Sequence, residues 1–135
     1  MNGSSELMLA RSVPATADNV AALRHAITRL AKQAGAGERV QGDIALAVGE
    51  ACGNVVMHAY PPGETGPLIL EGRVLEDGDL EVVISDLGRG VAPRPDSAGL
   101  GLGLPLMSTL TKTLRITDGD HGVGTQVQML FALRP

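Results

Sequence analysis

Glu50-Ala-Cys-Gly-Asn54-Val-Val-Met-His58-Ala-Tyr60 is the stretch on which the reading of this chain turns. It places a carboxylate, an amide and an imidazole at i, i+4 and i+8 of a helical run. Residues four apart lie on one helix face. Glu50, Asn54 and His58 therefore form one polar stripe, bordered by Val48, Cys52, Val55 and Val56. Taken alone, such a stripe is most often the solvated side of an amphipathic helix. Its functional reading is the wall of a magnesium-nucleotide site. An Asn side chain offers magnesium a hard carbonyl oxygen, and magnesium keeps most of its waters and bridges phosphates. A Glu one turn earlier could orient or deprotonate an attacking hydroxyl. Zinc is a poorer fit, because its sites draw on several His or Cys ligands.

Outward from this helix, strands and helices follow from periodicity. Toward the N-terminus, residues 6–13 alternate in part and predict a strand, which Pro14 ends. Thr16 or Asp18 can cap a helix over about 17–34, with Val20, Leu23, Ile27, Leu30 and Ala34 on one face. Gly35-Ala-Gly37 breaks it, and the second helix runs over about 38–59 with Val40, Ile44, Val48, Ala51 and Val55 inward. Pro61-Pro-Gly63 stops that helix. Toward the C-terminus, 67–76 and 79–86 are aliphatic runs joined by Glu76-Asp-Gly-Asp79, a hairpin signal. A Gly/Pro-rich loop over 87–100 leads to a third helix at about 101–112, and 113–118 with 124–133 form a last hairpin. Clustered strand pairs with short turns predict an α+β two-layer sandwich, with a mixed, mostly antiparallel sheet and helices on one face.

Bulk properties narrow the function classes. A chain of 135 residues reads as one domain, 1–135, large enough to bury a core. Apolar residues make up 44% and charged ones 19%, which excludes a disordered polyelectrolyte. Tyr60 and Phe131 are the only aromatics, so the core is aliphatic and a base-stacking platform is excluded. Net charge is −4 and the eleven basic residues are scattered, which argues against direct nucleic-acid or membrane-surface binding. A single cysteine, Cys52, forms no intrachain disulfide and reads as a small buried residue. No apolar run approaches membrane-spanning length, and no signal-peptide layout is present, so a cytoplasmic protein is expected.

Three further motifs carry chemistry. Asp86-Leu-Gly-Arg-Gly90 closes a predicted strand. It reads either as a plain turn or as a base-binding corner. An ionised carboxylate only accepts hydrogen bonds, so Asp86 would prefer the exocyclic amine of adenine to the oxygen of guanine. Gly88 and Gly90 would let the backbone pass close to the base. Gly99-Leu-Gly101-Leu-Gly103-Leu-Pro105 is either a flexible helix start or a set of backbone N–H groups facing an anion at a helix N-terminus. It lacks the Gly-Lys-Ser/Thr of a P-loop and does not follow a first strand as a dinucleotide-binding turn does. Gly124-Thr125 opens the final strand, where Thr is an ordinary strand residue whose hydroxyl could also join the Asp86 pocket. Arg24, on the first helix, reads by default as a solvated charge.

Taken in order, Glu-x3-Asn on a helix, D-x-G-x-G after a strand, G-x-G-x-G at a helix and Gly-Thr in the last strand resemble the Bergerat ATP-binding fold. The run Glu-x3-Asn-x3-His-Ala-Tyr resembles the anti-sigma factor serine/threonine kinases of bacterial partner-switching systems, over roughly residues 8–133. The resemblance implies ATP and Mg2+ as cofactors, a sigma factor as one partner, and a STAS-type anti-anti-sigma protein as phosphorylation target. It implies Glu50 as general base, Asn54 as magnesium ligand, and Asp86 with Gly88, Gly90 and Thr125 as the adenine site. Gly99, Gly101 and Gly103 would line the phosphates, and Arg24 would contact protein partners. A homodimer through the sheet near the N-terminal strand is also implied. The chain departs from that family in two places. The loop between Gly90 and Gly99 is short, and Gly99-Leu100 stands where some members place an Arg that reaches the terminal phosphate. Without that charge, transition-state stabilisation in phosphoryl transfer would be weaker. Alternatives kept from this comparison are a nucleotide-binding anti-sigma regulator without kinase activity, a switch kinase acting on a stressosome-type scaffold, and the catalytic half of a split histidine kinase.

Overall fold

The computed structural model describes residues 7–89 and 98–134. Five strands and three α-helices follow one another along it: β1 (Met8–Pro14), α1 (Ala17–Gln33), α2 (Glu38–Asn54), β2 (Pro67–Val74), β3 (Leu80–Asp86), α3 (Ala98–Leu110), β4 (Thr113–Asp118) and β5 (Thr125–Phe131). The strands form one sheet in the order β1-β2-β3-β5-β4. Every pairing in it is antiparallel, so the expected mixed sheet contains no parallel pair among the described residues. The chain leaves β3 through α3, lays down β4 at the far edge, and returns through β5 into the gap beside β3.

Period-two burial sorts the faces. In β3, Leu80, Val82, Ile84 and Asp86 are buried, while Glu81, Val83 and Ser85 between them are half-buried. In β2, Leu68, Leu70 and Gly72 turn to the same covered side. Successive strand side chains point to opposite faces, so one side of the sheet carries the helices and the other is open. Leu23, Ile27, Leu30, Ile44, Ala47, Val48, Ala51, Cys52 and Val55 supply the helical half of the core, with Met107 from α3. Each fully buried Leu, Ile or Val contributes about 1.5–3 kcal/mol by leaving water. Gly72 lets α1 come close: a Cβ there would stand 2.6 Å from Ile27 Cδ1.

Two helices depart from their predicted form. The second does not continue as an α-helix to 59. It ends at Asn54 and passes into a π-helical turn, Val55–Ala59. The third begins at Ala98, not 101, and so carries its glycines and Pro105 inside it. Strand limits shift by one to two residues at most ends, the usual uncertainty of such boundaries. Among the described residues, no helix is long and apolar enough to cross a membrane.

Candidate functional site

Glu50 and Asn54 stand one turn apart near the end of α2, both half-buried. Both side chains reach toward α3. A Cβ built on the buried Gly103 would lie 3.2 Å from Glu50 Oε2 and 3.3 Å from Asn54 Nδ2. The missing side chain at Gly103 is therefore what leaves room for the two polar ends. Gly99 lies in the first turn of α3 and Gly101 just beyond it. Because the helix starts three residues earlier than predicted, the free N–H groups of its first turn lie near 98–100. Gly103 contributes space, not a free donor.

His58 leaves the predicted stripe. The π turn closes on i→i+5, so residues four apart no longer stack as in an α-helix. Its carbonyl accepts the Arg89 Nε–H at 3.2 Å, and its buried Nε2 has no hydrogen-bond partner among the described residues.

Asp86 is the last residue of β3 and is 3% exposed. Backbone N–H groups of Gly88 and Thr125 donate to its carboxylate, the Gly88 bond measuring 2.9 Å to Oδ1. Burial raises its pKa above the ordinary carboxylate range, and the two N–H bonds pull the other way. A carboxylate has about four lone-pair sites, so two donors leave it capacity for another. Gly124 makes the Thr125 contact possible. Its φ is +74°, and a Cβ there would lie 1.9 Å from the Asp86 carbonyl oxygen. Gly90 and the rest of the loop over 90–97 lie outside the described residues.

Arg24 is exposed on α1, on the side that meets α2. Its Cδ lies 3.0 Å from the Cβ position of Gly49, so the arginine stem packs on α2 at that glycine. Cys52 is fully buried, and its thiol is pushed up to about 12 by burial, with Arg24 opposing.

Sequence reasoning missed how the site is fastened. Leu87 N–H donates to the Tyr60 hydroxyl at 3.0 Å, and Arg89 N–H donates to the Ala59 carbonyl at 3.0 Å. Both join the Asp86 turn to the end of the helix that carries Glu50 and Asn54. The only available signal was Tyr60 itself, the chain's single tyrosine, standing just before Pro61-Pro-Gly63.

Against known proteins, residues 13–131 match the histidine kinase-like ATPase domain family. The serine-protein kinase RsbW of Bacillus licheniformis is 32% identical over 125 residues, covering 82% of this chain and 77% of that one. The anti-sigma F factor of Clostridium botulinum (strain Eklund 17B / Type B) is 30% identical over 98 residues, covering 64% and 67%. Among solved structures, the RsbU and RsbW domains of a Mycobacterium tuberculosis protein share the fold, with a TM-score of 0.74 at 24% identity. That alignment covers 95% of this chain and 33% of the other, so the chain spans a third of that protein's solved length.

Proposed function

Because the chain belongs to the histidine kinase-like ATPase domain family, we propose that it is an ATP-binding anti-sigma factor that also phosphorylates a Ser or Thr of an anti-anti-sigma antagonist. The observation that carries the proposal is the convergence of Glu50 and Asn54 on the side-chain-free Gly103. A carboxylate and an amide oxygen meet there, the hard oxygen donors that magnesium takes beside its phosphates and waters. The buried Asp86 fits the other end of the same ligand. It retains acceptor capacity after two N–H bonds, and it would take the amine of adenine and disfavour guanine.

In this reading the Asn54 amide oxygen is a magnesium ligand. Gly88 and Thr125 would hold the Asp86 carboxylate through their N–H groups, and Gly99, Gly101 and Gly103 would line the phosphates. Bound Mg-ATP supplies the phosphoryl group and the divalent charge. Glu50 would accept the proton of the partner's hydroxyl as that oxygen bonds to the γ-phosphorus, and ADP would leave as the β–γ phosphoanhydride bond breaks. Arg24, exposed and packed on α2 at Gly49, would meet the protein that brings that hydroxyl. A sigma factor and a STAS-type antagonist are the partners, and the setting is cytoplasmic.

A homodimer would use the open sheet face beside β1. Support comes from Met8, 62% exposed, and from a groove of about 340 Å³ there that Met8, Ala10, Glu71, Arg73, Glu81 and Val83 help to line.

The test is transfer of labelled phosphate from ATP to a purified antagonist, with Glu50→Gln beside the wild type. We expect the variant to bind Mg-ATP normally and to lose at least about a hundredfold in transfer. Equal loss of binding and transfer would refute the general-base role. Intact binding with no label on the antagonist, even from the wild type, would make the protein a nucleotide-binding regulator without kinase activity.

A further inference from the structure

The turn after Asp86 is tied to the end of the helix carrying Glu50 and Asn54. Tyr60, the first residue beyond the π turn, donates its hydroxyl hydrogen to the Pro67 carbonyl at the start of β2. The same oxygen accepts Leu87 N–H at 3.0 Å. A phenol has one hydrogen to give and lone pairs to receive, so one oxygen serves both bonds. Its ring covers Gly66, where a Cβ would stand 2.2 Å from Tyr60 Cε1. Arg89 adds two bonds, from N–H to the Ala59 carbonyl at 3.0 Å and from Nε–H to the His58 carbonyl at 3.2 Å. The last carbonyls of a helix have no partner within it. Here the Asp86 turn occupies two of them.

Resting on the nucleotide-site reading above, we infer that Tyr60 and Arg89 are positioning residues that hold the Asp86 end and the Glu50–Asn54 end of the site at one fixed separation. Held apart at the right distance, the two half-sites act on the two ends of one ligand as two modules joined by a rigid linker, and affinity comes from that rigidity. Loosening the tie would leave each half-site intact and weaken only a ligand that must reach both.

Tyr60→Phe separates these effects, since the ring stays over Gly66 while both hydroxyl bonds go. The full chain would be titrated with adenosine, with Mg-tripolyphosphate and with Mg-ATP, following each by NMR. We expect Mg-ATP to bind about tenfold more weakly and each half-ligand to stay within about twofold of wild type. A purely structural Tyr60 would lower the melting temperature without changing that ratio. Arg89→Ala, at an exposed position, removes only the Nε–H bond and keeps the backbone one, so it should show the same split at smaller amplitude, and it supplies the answer if Tyr60→Phe fails to fold. Unchanged Mg-ATP affinity in Tyr60→Phe, or adenosine weakened as much as ATP, would overturn the inference. Tripolyphosphate weakened by Arg89→Ala would make Arg89 a phosphate contact and remove it from the tie. A wild type that binds none of the three ligands would defeat the nucleotide reading itself, and the inference with it.

Discussion

Replacing Gly88 with alanine presses a methyl group onto the end of the site helix. The new Cβ would lie 2.0 Å from the Ala59 carbonyl oxygen and 2.7 Å from its carbon. Close C···O contacts settle at about 3.3–3.6 Å, so the turn and the helix end must part by about 1.3 Å. Backbone stands on both sides, and no side-chain rotation can absorb the shift. The Arg89 N–H bond to the same oxygen, now 3.0 Å, would stretch to about 4 Å and be lost. Overpacking costs about 1–3 kcal/mol and the lost bond about 0.5–1.5, which together give about 1.5–4.5 kcal/mol. With a urea slope of about 2 kcal/mol/M, the unfolding midpoint should fall by about 1–2 M. Gly42→Ala is the control. It lies in α2 with open space where its Cβ would go, and alanine there should gain about 0.5–1 kcal/mol. If Gly88→Ala unfolds within about 0.5 kcal/mol of wild type while Gly42→Ala gains as expected, the turn is not seated on the helix end.

Two more outcomes follow from the buried titratable groups. Burial lifts the Asp86 pKa in the folded state, so its contribution to stability is fully present below the unfolded value and is lost as pH rises through the raised folded value. Asp86→Asn cannot ionise, and unfolding measured from about pH 4 to 7 should show the balance moving in the variant's favour as pH rises; a constant gap would contradict the burial argument, and an unchanged preference for ATP over GTP would contradict the base pocket. The Cys52 thiol, pushed up to about 12 and buried, should react with iodoacetamide at about pH 8 only through global opening, since the thiolate is the nucleophile. Labelling as fast as a free cysteine would show that α2 does not pack as described.

Much of the fold was legible because its patterns are local. The β2–β3 hairpin announced itself through two aliphatic runs around Glu76-Asp-Gly-Asp79, and Gly78 there has a φ of +92° that suits glycine. The inward faces of α1 and α2 followed from apolar spacing, and Leu23, Ile27, Leu30, Ile44, Val48, Ala51 and Val55 are buried. The π turn was not legible, because Val-Val-Met-His-Ala at 55–59 suits either winding equally. The early start of α3 was hidden for the opposite reason: glycine at 99, 101 and 103 argues against a helix by propensity. Packing overrides that preference, since Gly103 is where α3 closes on Glu50 and Asn54. Within the candidate site, the residue types at 50, 54 and 86 were open to a sequence reading. The tie through Tyr60 was not, because its partners Pro67 and Leu87 lie 7 and 27 residues away.

The π turn also sets a rule for recombining this chain with its relatives. Val55–Ala59 closes its hydrogen bonds one residue later than the α-helix before it, and so acts as a register shift written into the chain. Rewinding these residues at the ordinary α pitch, with none removed, would turn everything downstream by about 100° about the helix axis, because the turn holds one residue more than an α-helical turn. Tyr60 would swing away from Gly66 and Pro67, although every residue type in the flanking motifs was preserved. A chimera spliced within 55–59 can therefore keep all of its signature residues and still lose the site, whereas one joined at the loop over 61–66 inherits helix, turn and tyrosine in phase.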